Sequence, residues 1–257
     1  MSIFEGERIA KVIARAGICS RRDAERLIEE GRVKLNGTKL SSAAVNVTAR
    51  DVIQVDGKPL PQKEETRLWR YHKPAGLVVS NHDPEGRPTV FEKLREQLPR
   101  VVSIGRLDIN TEGLLLLTND GELARFLELP ATGWLRHYRV RAYGRLDDAS
   151  LAKVAKGVEI DGIKYGPVEA SIDKGKGDNQ WLTIAIREGK NREVKKICEY
   201  LGLQVNRLIR TSFGPFALGE LARGMIEEVP AKIMKSQIGD KFFKDNDADR
   251  RRKIQRP

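Results

Sequence analysis

The sequence predicts an α+β protein with two domains. Its 257 residues are enough for a sizeable core and for two domains. Strand-like and helix-like segments are mixed along the chain without strict alternation, which disfavours a doubly wound parallel sheet. Near residue 60, two prolines and a charged segment without periodicity indicate a linker. We therefore expect a first domain at 1–60, a linker at 61–66 and a larger domain at 67–238.

Two short amphipathic helices begin the first domain. Apolar residues within 7–16 have the i, i+3, i+4, i+7 spacing of one helix face, and Gly17 suits the end of that helix. Ser20 is a favourable N-cap for the second helix. A small sheet is predicted to follow, with strands at 33–35 and 52–55, each leading into a tight turn that contains glycine.

The larger domain combines strand-like runs with helical segments. The strands are predicted at 68–71, 101–104, 114–117, 138–142 and 181–186. The helices are predicted at 122–127, 149–157 and 192–201. The tail, 239–257, is rich in Asp, Lys and Arg and has too little apolar surface to order itself, so we predict that it is disordered.

Charge is the main compositional indication of a partner. The chain has 47 Lys and Arg against 36 Asp and Glu, a net charge of +11 and a pI near 9.7. Such a charge favours a polyanion, and nucleic acid is the first candidate. A segment that spans an anionic membrane is disfavoured, because no apolar run approaches the ~18 residues required. The N-terminus lacks the features of a secretion signal, so we expect a cytoplasmic protein.

The sequence predicts neither a metal site nor a cofactor. The two cysteines, Cys19 and Cys198, have no paired spacing, and the three histidines are too scattered for a metal cluster. No phosphate-binding P-loop is present, and no dinucleotide-binding glycine motif follows a predicted strand. ATP, zinc and nicotinamide chemistry are therefore disfavoured.

Asp108 is the most informative residue. It lies at the end of the 105–108 segment, between two apolar stretches, where a single Asp is more often an ordinary turn residue. Its surroundings change this interpretation, because Arg106 precedes the acid and an apolar run at 114–117 follows, before an Asn-Asp-Gly turn. Such a frame can hold a carboxylate at a cleft.

Four motifs in a fixed order resemble those of RNA pseudouridine synthases. They are KPAG at 73–76, GRLD at 105–108, YRV at 138–140 and EGKNREVKK at 188–196, and a fifth piece, NRLIR, follows at 206–210. The first domain resembles the S4 RNA-binding domain over about residues 7–60. The 81–91 insert is most similar to the RluB branch of the RsuA/RluB/RluE/RluF group. The resemblance implies a catalytic domain built on a mixed, largely antiparallel sheet.

The reaction that the resemblance implies detaches uracil from C1′ of its ribose, turns the base and rejoins it through C5. It involves no redox change and no cofactor. Asp108 is the implied catalytic carboxylate, acting either as a nucleophile at C1′ or as a base that forms a glycal. The sequence leaves both roles open.

Tyr138 and Lys195 are the other catalytic residues that the resemblance implies. Tyr138 would stack on the displaced base and assist a proton transfer. Lys195, where many relatives have Arg, would keep Asp108 ionised and oriented. Without the motifs, residue pattern alone favours an ordinary sheet residue for Tyr138 and a solvated helix flank for Lys195.

Contacts with the substrate are implied for a further set of residues: Lys73, Pro74, Arg106, Arg192 and Leu208 in the larger domain, and Arg21, Arg22 and Arg26 in the first. The Lys-Pro pair would shape one wall of the cleft, although this pair is also frequent in turns. Leu208 would press on the ribose or base, and core packing is the alternative. The three first-domain arginines would contact RNA phosphates, or else form a solvated face paired with nearby Glu residues.

The implied substrate is one uridine of 23S large-subunit rRNA near the peptidyl transferase centre, unpaired in a stem-loop. We expect a monomer with rRNA as its partner. One alternative is a noncatalytic RNA-binding or ribosome-assembly factor, which the intact Asp108 and Tyr138 disfavour. The other is an S4-bearing methyltransferase, which the lack of a glycine-rich cofactor loop disfavours.

Overall fold

The computed structural model describes residues 6–62, 64–129, 132–173, 178–239 and 242–243. The strands are β1 (Glu7–Arg8), β2 (Val33–Leu35), β3 (Thr38–Lys39), β4 (Asn46–Val47), β5 (Ile53–Val55), β6 (Lys58–Pro59), β7 (Leu68–Lys73), β8 (Val102–Ile104), β9 (Thr111–Thr118), β10 (Arg136–Tyr143), β11 (Val158–Ile160), β12 (Ile163–Tyr165), β13 (Val168–Ile172), β14 (Asn179–Ile186), β15 (Gln204–Phe213), β16 (Phe216–Ala217) and β17 (Ile226–Glu228). The helices are α1 (Ile9–Arg15), α2 (Arg21–Glu29), α3 (Val90–Leu94), α4 (Gly121–Glu128), α5 (Asp148–Ala155), α6 (Glu193–Tyr200) and α7 (Ala231–Ile238).

The N-terminal helices and small sheet form as predicted. The Ser20 hydroxyl accepts a hydrogen bond from the Asp23 amide, and the Asp23 carboxylate accepts one from the Ser20 amide, so a complete capping box begins α2. Strand β2 pairs with β3 and with β5, and β5 pairs with β6. The apolar faces of α1 and α2 share a core with this sheet, centred on Ile9, Ile13 and Ile28.

The larger part of the chain is built on one mixed sheet. Its strand order is β13-β14-β10-β15-β9-β7-β17, with β8 also paired to β9 and β16 to β15. Each of these pairings is antiparallel except that between β9 and β15. The α+β prediction and its largely antiparallel sheet are confirmed, and each predicted strand and helix of this part is present.

Two hydrophobic cores lie on opposite faces of the sheet. The four leucines of β9 alternate between them, with Leu115 and Leu117 in the first core and Leu114 and Leu116 in the second. Helices α3, α5 and α6 bury their apolar residues in the first core, and α4 and α7 bury theirs in the second. Strand β9 is therefore buried on both faces.

The C-terminal boundary differs in one respect from the predicted tail. Phe242 is buried in the second core and its ring lies 5.3 Å from that of Phe126. Aromatic burial of this kind anchors the chain four residues beyond the end of the predicted domain at 238. The prediction of disorder for the rest of 239–257 falls largely outside the described residues.

The parallel pairing of β9 with β15 joins the two halves of the sheet through a glycine. Gly113 lies opposite Arg210, and a Cβ on Gly113 would lie 2.7 Å from the Arg210 amide nitrogen. Gly113 also has φ +102°, which side-chain-bearing residues rarely adopt. Next to it, the Glu112 carboxylate accepts a hydrogen bond from Arg207 Nε at 2.7 Å, which ties the same two strands together.

We expect Gly113→Ala to destabilise the protein by about 3 kcal/mol or more, because it adds a backbone clash to an unfavourable φ. Gly162→Ala is the control, since Gly162 also has a positive φ, +74°, but a Cβ at that position would have no other atom within 4 Å. That variant should lose about 1–2 kcal/mol. Urea unfolding of both variants measures the difference. Equal losses would show that close approach at Gly113 is unimportant.

Candidate active site

A buried lysine holds the loop that carries Asp108. Lys73, at the end of β7, is fully buried, and its ammonium donates to four backbone carbonyl oxygens at 2.9–3.1 Å, those of Pro74, Asp108, Ile109 and Thr111. Burial lowers the pKa of Lys73 to about 8, against the opposing effect of the Asp108 and Glu112 charges. The Lys73 ammonium therefore contacts the loop from beneath, and a role of Lys73 in shaping the cleft wall remains a prediction.

Asp108 itself is half-exposed and forms an ion pair with α6. Its Oδ2 lies 3.1 Å from Lys195 Nζ, and the Lys195 side chain is 14% exposed. The loop between β8 and β9 presents the acid, and the first turns of α6 present the lysine. The contact is the one that the resemblance implied, whereas the part each group plays in a reaction remains a prediction.

Tyr138 and Leu208 approach Asp108 from the other half of the sheet. Tyr138 on β10 and Leu208 on β15 are both buried, and they belong to the first core. An open cavity of about 1070 Å³ lies where these groups converge. Its lining includes Arg106, Asp108, Tyr138, Arg192, Lys195 and Leu208. Six of the eight residues predicted in the larger domain are thus brought to one cavity.

The residues of the larger domain that were predicted to contact the substrate differ in their exposure. Arg106 and Arg192 are exposed, and Arg192 precedes α6 in a left-handed conformation with φ 54°. Pro74 is half-buried, and its carbonyl oxygen accepts one of the Lys73 hydrogen bonds. The Pro74 carbonyl oxygen is therefore one of the acceptors around the Lys73 ammonium, and a role of Pro74 in shaping the cleft wall remains a prediction.

Sequence reasoning missed two buried arginines of the cavity. Arg136 is 8% exposed and Arg210 is 2% exposed, and both belong to the lining. Arg210 falls inside the NRLIR motif, but the motif did not indicate a role for this residue. Nothing in the sequence around Arg136 distinguishes it from a surface arginine. The cavity also adjoins a groove of about 590 Å³, with which it shares Arg192, Lys195 and Leu208.

The arginines predicted to bind RNA are exposed on α2. Arg26 forms an ion pair with Asp23, which offsets part of its charge. Arg21 and Arg22 have no ion pair within the described parts of the chain. Their guanidinium groups are therefore the two that α2 presents to an external anion.

A network of charges connects the N-terminal helices to the larger sheet domain. Lys11 Nζ lies 2.8 Å from Glu7 and 2.7 Å from Glu122, at the start of α4. Arg15 is paired with the same two carboxylates. Arg100 donates to a backbone carbonyl oxygen near the end of α1, at 3.2 Å. These half-buried contacts tie α1 to α4 and to Arg100 of the larger sheet domain.

The described residues contain neither a candidate metal-binding cluster nor a membrane-spanning helix. In that part of the chain no group of three or more His, Cys, Asp or Glu side chains is arranged to hold a metal ion. None of its helices is long and apolar enough to cross a membrane.

Comparisons with known proteins agree on one family. A model of RNA pseudouridylate synthases matches residues 67–200, and a model of the S4 domain matches residues 7–53. An RNA pseudouridine synthase of Rickettsia felis, described as uncharacterized, is 50% identical over 228 residues, which are 89% of this chain and 99% of the relative. The ribosomal large subunit pseudouridine synthase B of Pasteurella multocida is 44% identical over 235 residues, 88% of this chain and 68% of the relative.

A solved structure gives the same result. The crystal structure of a pseudouridylate synthase is 28% identical and has a TM-score of 0.63, covering 91% of this chain and all of the other. Its likeness therefore extends over both the N-terminal helices and the mixed sheet.

Proposed function

The chain belongs to the RNA pseudouridine synthase family and has an S4 domain, and from this premise we propose that it isomerises one uridine of large-subunit rRNA. The proposed target lies in 23S rRNA near the peptidyl transferase centre. Support for the large subunit comes from the 44% identity to the Pasteurella multocida enzyme. The net charge of +11 suits a polyanionic substrate. In this proposal the enzyme acts as a cytoplasmic monomer.

The observation that carries the proposal is the Asp108–Lys195 ion pair at a cavity that also contains Tyr138. In our proposal Asp108 acts at the ribose, either by attacking C1′ or by removing a neighbouring proton. In this proposal the Lys195 ammonium, 3.1 Å from Asp108 Oδ2, orients the carboxylate. The Tyr138 ring stacks on the base, and its hydroxyl assists a proton transfer.

The proposed substrate enters as a flipped nucleotide. Asp108 lines a concave cavity that a base stacked within a duplex does not enter, so an unpaired uridine in a stem-loop is favoured. Leu208 forms part of the wall against which the ribose or base packs. Arg106 and Arg192 are exposed at the cavity, where they are available to flanking phosphates. Arg21 and Arg22 extend the phosphate-binding surface onto the S4 domain.

Asp108→Asn is expected to abolish pseudouridine formation and to change RNA affinity by less than about threefold, because basic contacts with phosphates provide most of the affinity. The measurement is single-turnover conversion of large-subunit rRNA without added cofactor, with mapping of the modified position. The matched control is Lys196→Met, next to the ion pair. Conversion by Asp108→Asn at the wild-type rate would contradict the catalytic assignment. Modification of only small-subunit rRNA or tRNA by the wild type would contradict the target.

Lys195→Met should lower the single-turnover rate by about a hundredfold or more, since it removes the charge beside Asp108. Lys195→Arg should retain most of the activity, because it keeps the charge and can pair with a carboxylate in a bidentate manner. Similar rates for the two variants would place Lys195 outside the catalytic machinery.

The pKa of Lys73, lowered to about 8 by burial, predicts a loss of activity as the pH rises through 8. The uncharged amine donates fewer hydrogen bonds to the carbonyls of the Asp108 loop. Between pH 8 and the ordinary value of 10.5, the unfolded chain binds more protons at this residue, so its contribution to the free energy of unfolding rises with pH. Loss of activity should therefore precede unfolding, as circular dichroism can check. The Lys73→Met variant should have a low rate that does not fall further as the pH rises through 8. If the variant shows the same loss of activity with pH as the wild type, another residue causes that loss.

A further inference from the structure

Two buried arginines lie close to one aromatic ring at the cavity. The guanidinium carbon of Arg136 lies 4.6 Å from the Phe213 ring centroid, and that of Arg210 lies 5.2 Å from it. All three side chains line the cavity that contains Asp108 and Tyr138. Two like charges are therefore concentrated where the base of the substrate is proposed to bind.

A β-bulge creates this arrangement. Between β10 and β15, Arg136 is paired with Phe213 and Tyr138 with Arg210, which leaves Thr211 as an extra residue on β15. Residues paired across neighbouring strands share a face of the sheet, as do Arg136 and Tyr138 two positions apart. The bulge thus brings Arg210 to the face of Tyr138, while Phe213, which also packs in the second core, reaches the lining of the same cavity.

The charges of the two arginines are not neutralised by ion pairs within the described residues. Arg136 Nη1 donates to the backbone carbonyl oxygens of Arg187 and Glu188, at 2.6 and 3.0 Å, and more weakly to that of Trp134. Arg210 Nε donates to the Leu114 carbonyl oxygen at 2.8 Å, while its Nη2 is buried without a hydrogen-bond partner. A buried donor of this kind is costly unless a ligand supplies an acceptor.

The nearby titratable groups do not remove this excess of positive charge. Burial lowers the pKa of Arg136, and repulsion from Arg210 acts in the same direction. Tyr138, Glu193 and Glu128 act in the opposite direction. The Glu193 carboxylate already accepts a hydrogen bond from the Lys190 amide, and burial raises its pKa. The site therefore favours a ligand that carries or develops negative charge.

The proposed reaction generates such a charge on the base. When the C1′–N1 bond breaks, its electron pair stays on the uracil ring and is shared by N1 and the two carbonyl oxygens. When C5 then bonds to C1′, C5 loses its proton and N1 gains one, so the net change is an isomerisation. A donor that meets the uracil while it is detached stabilises the transition state more than the bound substrate.

We propose that Arg210, supported by Arg136, donates a hydrogen bond to a carbonyl oxygen of the detached uracil and stabilises its negative charge. This inference rests on the proposed function, since it takes Asp108 as the centre that acts at the ribose. A backbone phosphate is the competing ligand. The base is favoured because Arg210 is only 2% exposed and adjoins Phe213, whereas the exposed Arg106 and Arg192 can reach a phosphate from the rim.

The test compares uridine with 5-fluorouridine at the target position of the same RNA. Fluorine withdraws electrons, so the 5-fluorouracil ring carries negative charge more easily and depends less on an external donor. The measured quantity is the single-turnover rate of C1′–N1 cleavage at saturating enzyme, alongside the Kd for RNA. The variants are Arg210→Met and Arg210→Lys, with Arg141→Met as control because Arg141 is exposed on the opposite face of β10.

We expect Arg210→Met to slow cleavage of uridine by about 10²–10³-fold. It should slow cleavage of 5-fluorouridine at least tenfold less, and Arg210→Lys should lie between wild type and Met on uridine. The Kd should change by less than about threefold in all variants. Arg141→Met should behave as the wild type does.

Three outcomes would overturn the inference. Equal slowing on both RNAs would show that Arg210 only supports the fold. A Kd weakened tenfold with an unchanged saturated rate would assign Arg210 to a phosphate. If Arg210→Met does not fold, Arg210→Lys is compared with the wild type instead. Equal slowing of cleavage of uridine and of 5-fluorouridine in that variant would contradict the proposal. Failure of the proposed function is distinct, because the wild-type protein would then leave uridine unchanged.

Discussion

The close approach of β9 to β15 at Gly113 is the constraint on which the rest of the active site depends. Each strand carries or leads to different residues of the cavity: the loop before β9 presents Asp108, and β15 contributes Leu208 and Arg210. Their single parallel pairing spans only three register positions and requires a residue without a Cβ at Gly113. A wider separation of these strands would move the carboxylate away from the groups that face it.

The second constraint is the buried ammonium of Lys73, which fixes the Asp108 backbone and leaves its carboxylate to pair with Lys195. A loop usually has greater mobility than the strands it connects, and a catalytic group is useful only when its position is maintained. Four carbonyl oxygens around one cation provide this rigidity from beneath. The two lysines therefore contact different parts of Asp108: Lys73 holds the backbone of the loop, and Lys195 contacts the carboxylate itself.

Much of the fold was predictable because local periodicity determines it: the strand at 114–117 and the helices at 122–127 and 192–201 are present. The Asp108–Lys195 contact was predictable only through the order of the family motifs. Strand β15 was not predicted, since Arg207 and Arg210 interrupt its apolar alternation, and their partners are distant in sequence. For the same reason the burial of Lys73 was missed. A charged residue whose acceptors are backbone carbonyls of another segment has no recognisable local pattern.

Burial separates the positive charges of this protein into two groups with different chemistry. Exposed arginines such as Arg21 and Arg22 remain hydrated, so they can attract a phosphate backbone while contributing little to a chemical step. Arg136 and Arg210 have lost most of their hydration within the fold, and their field acts in a cavity with a lower effective dielectric constant. This field stabilises a group of the substrate in proportion to how much the charge of that group changes during the reaction. Attraction of RNA and stabilisation of a detached base therefore require arginines in different environments, and the bulge at Thr211 supplies the second of these.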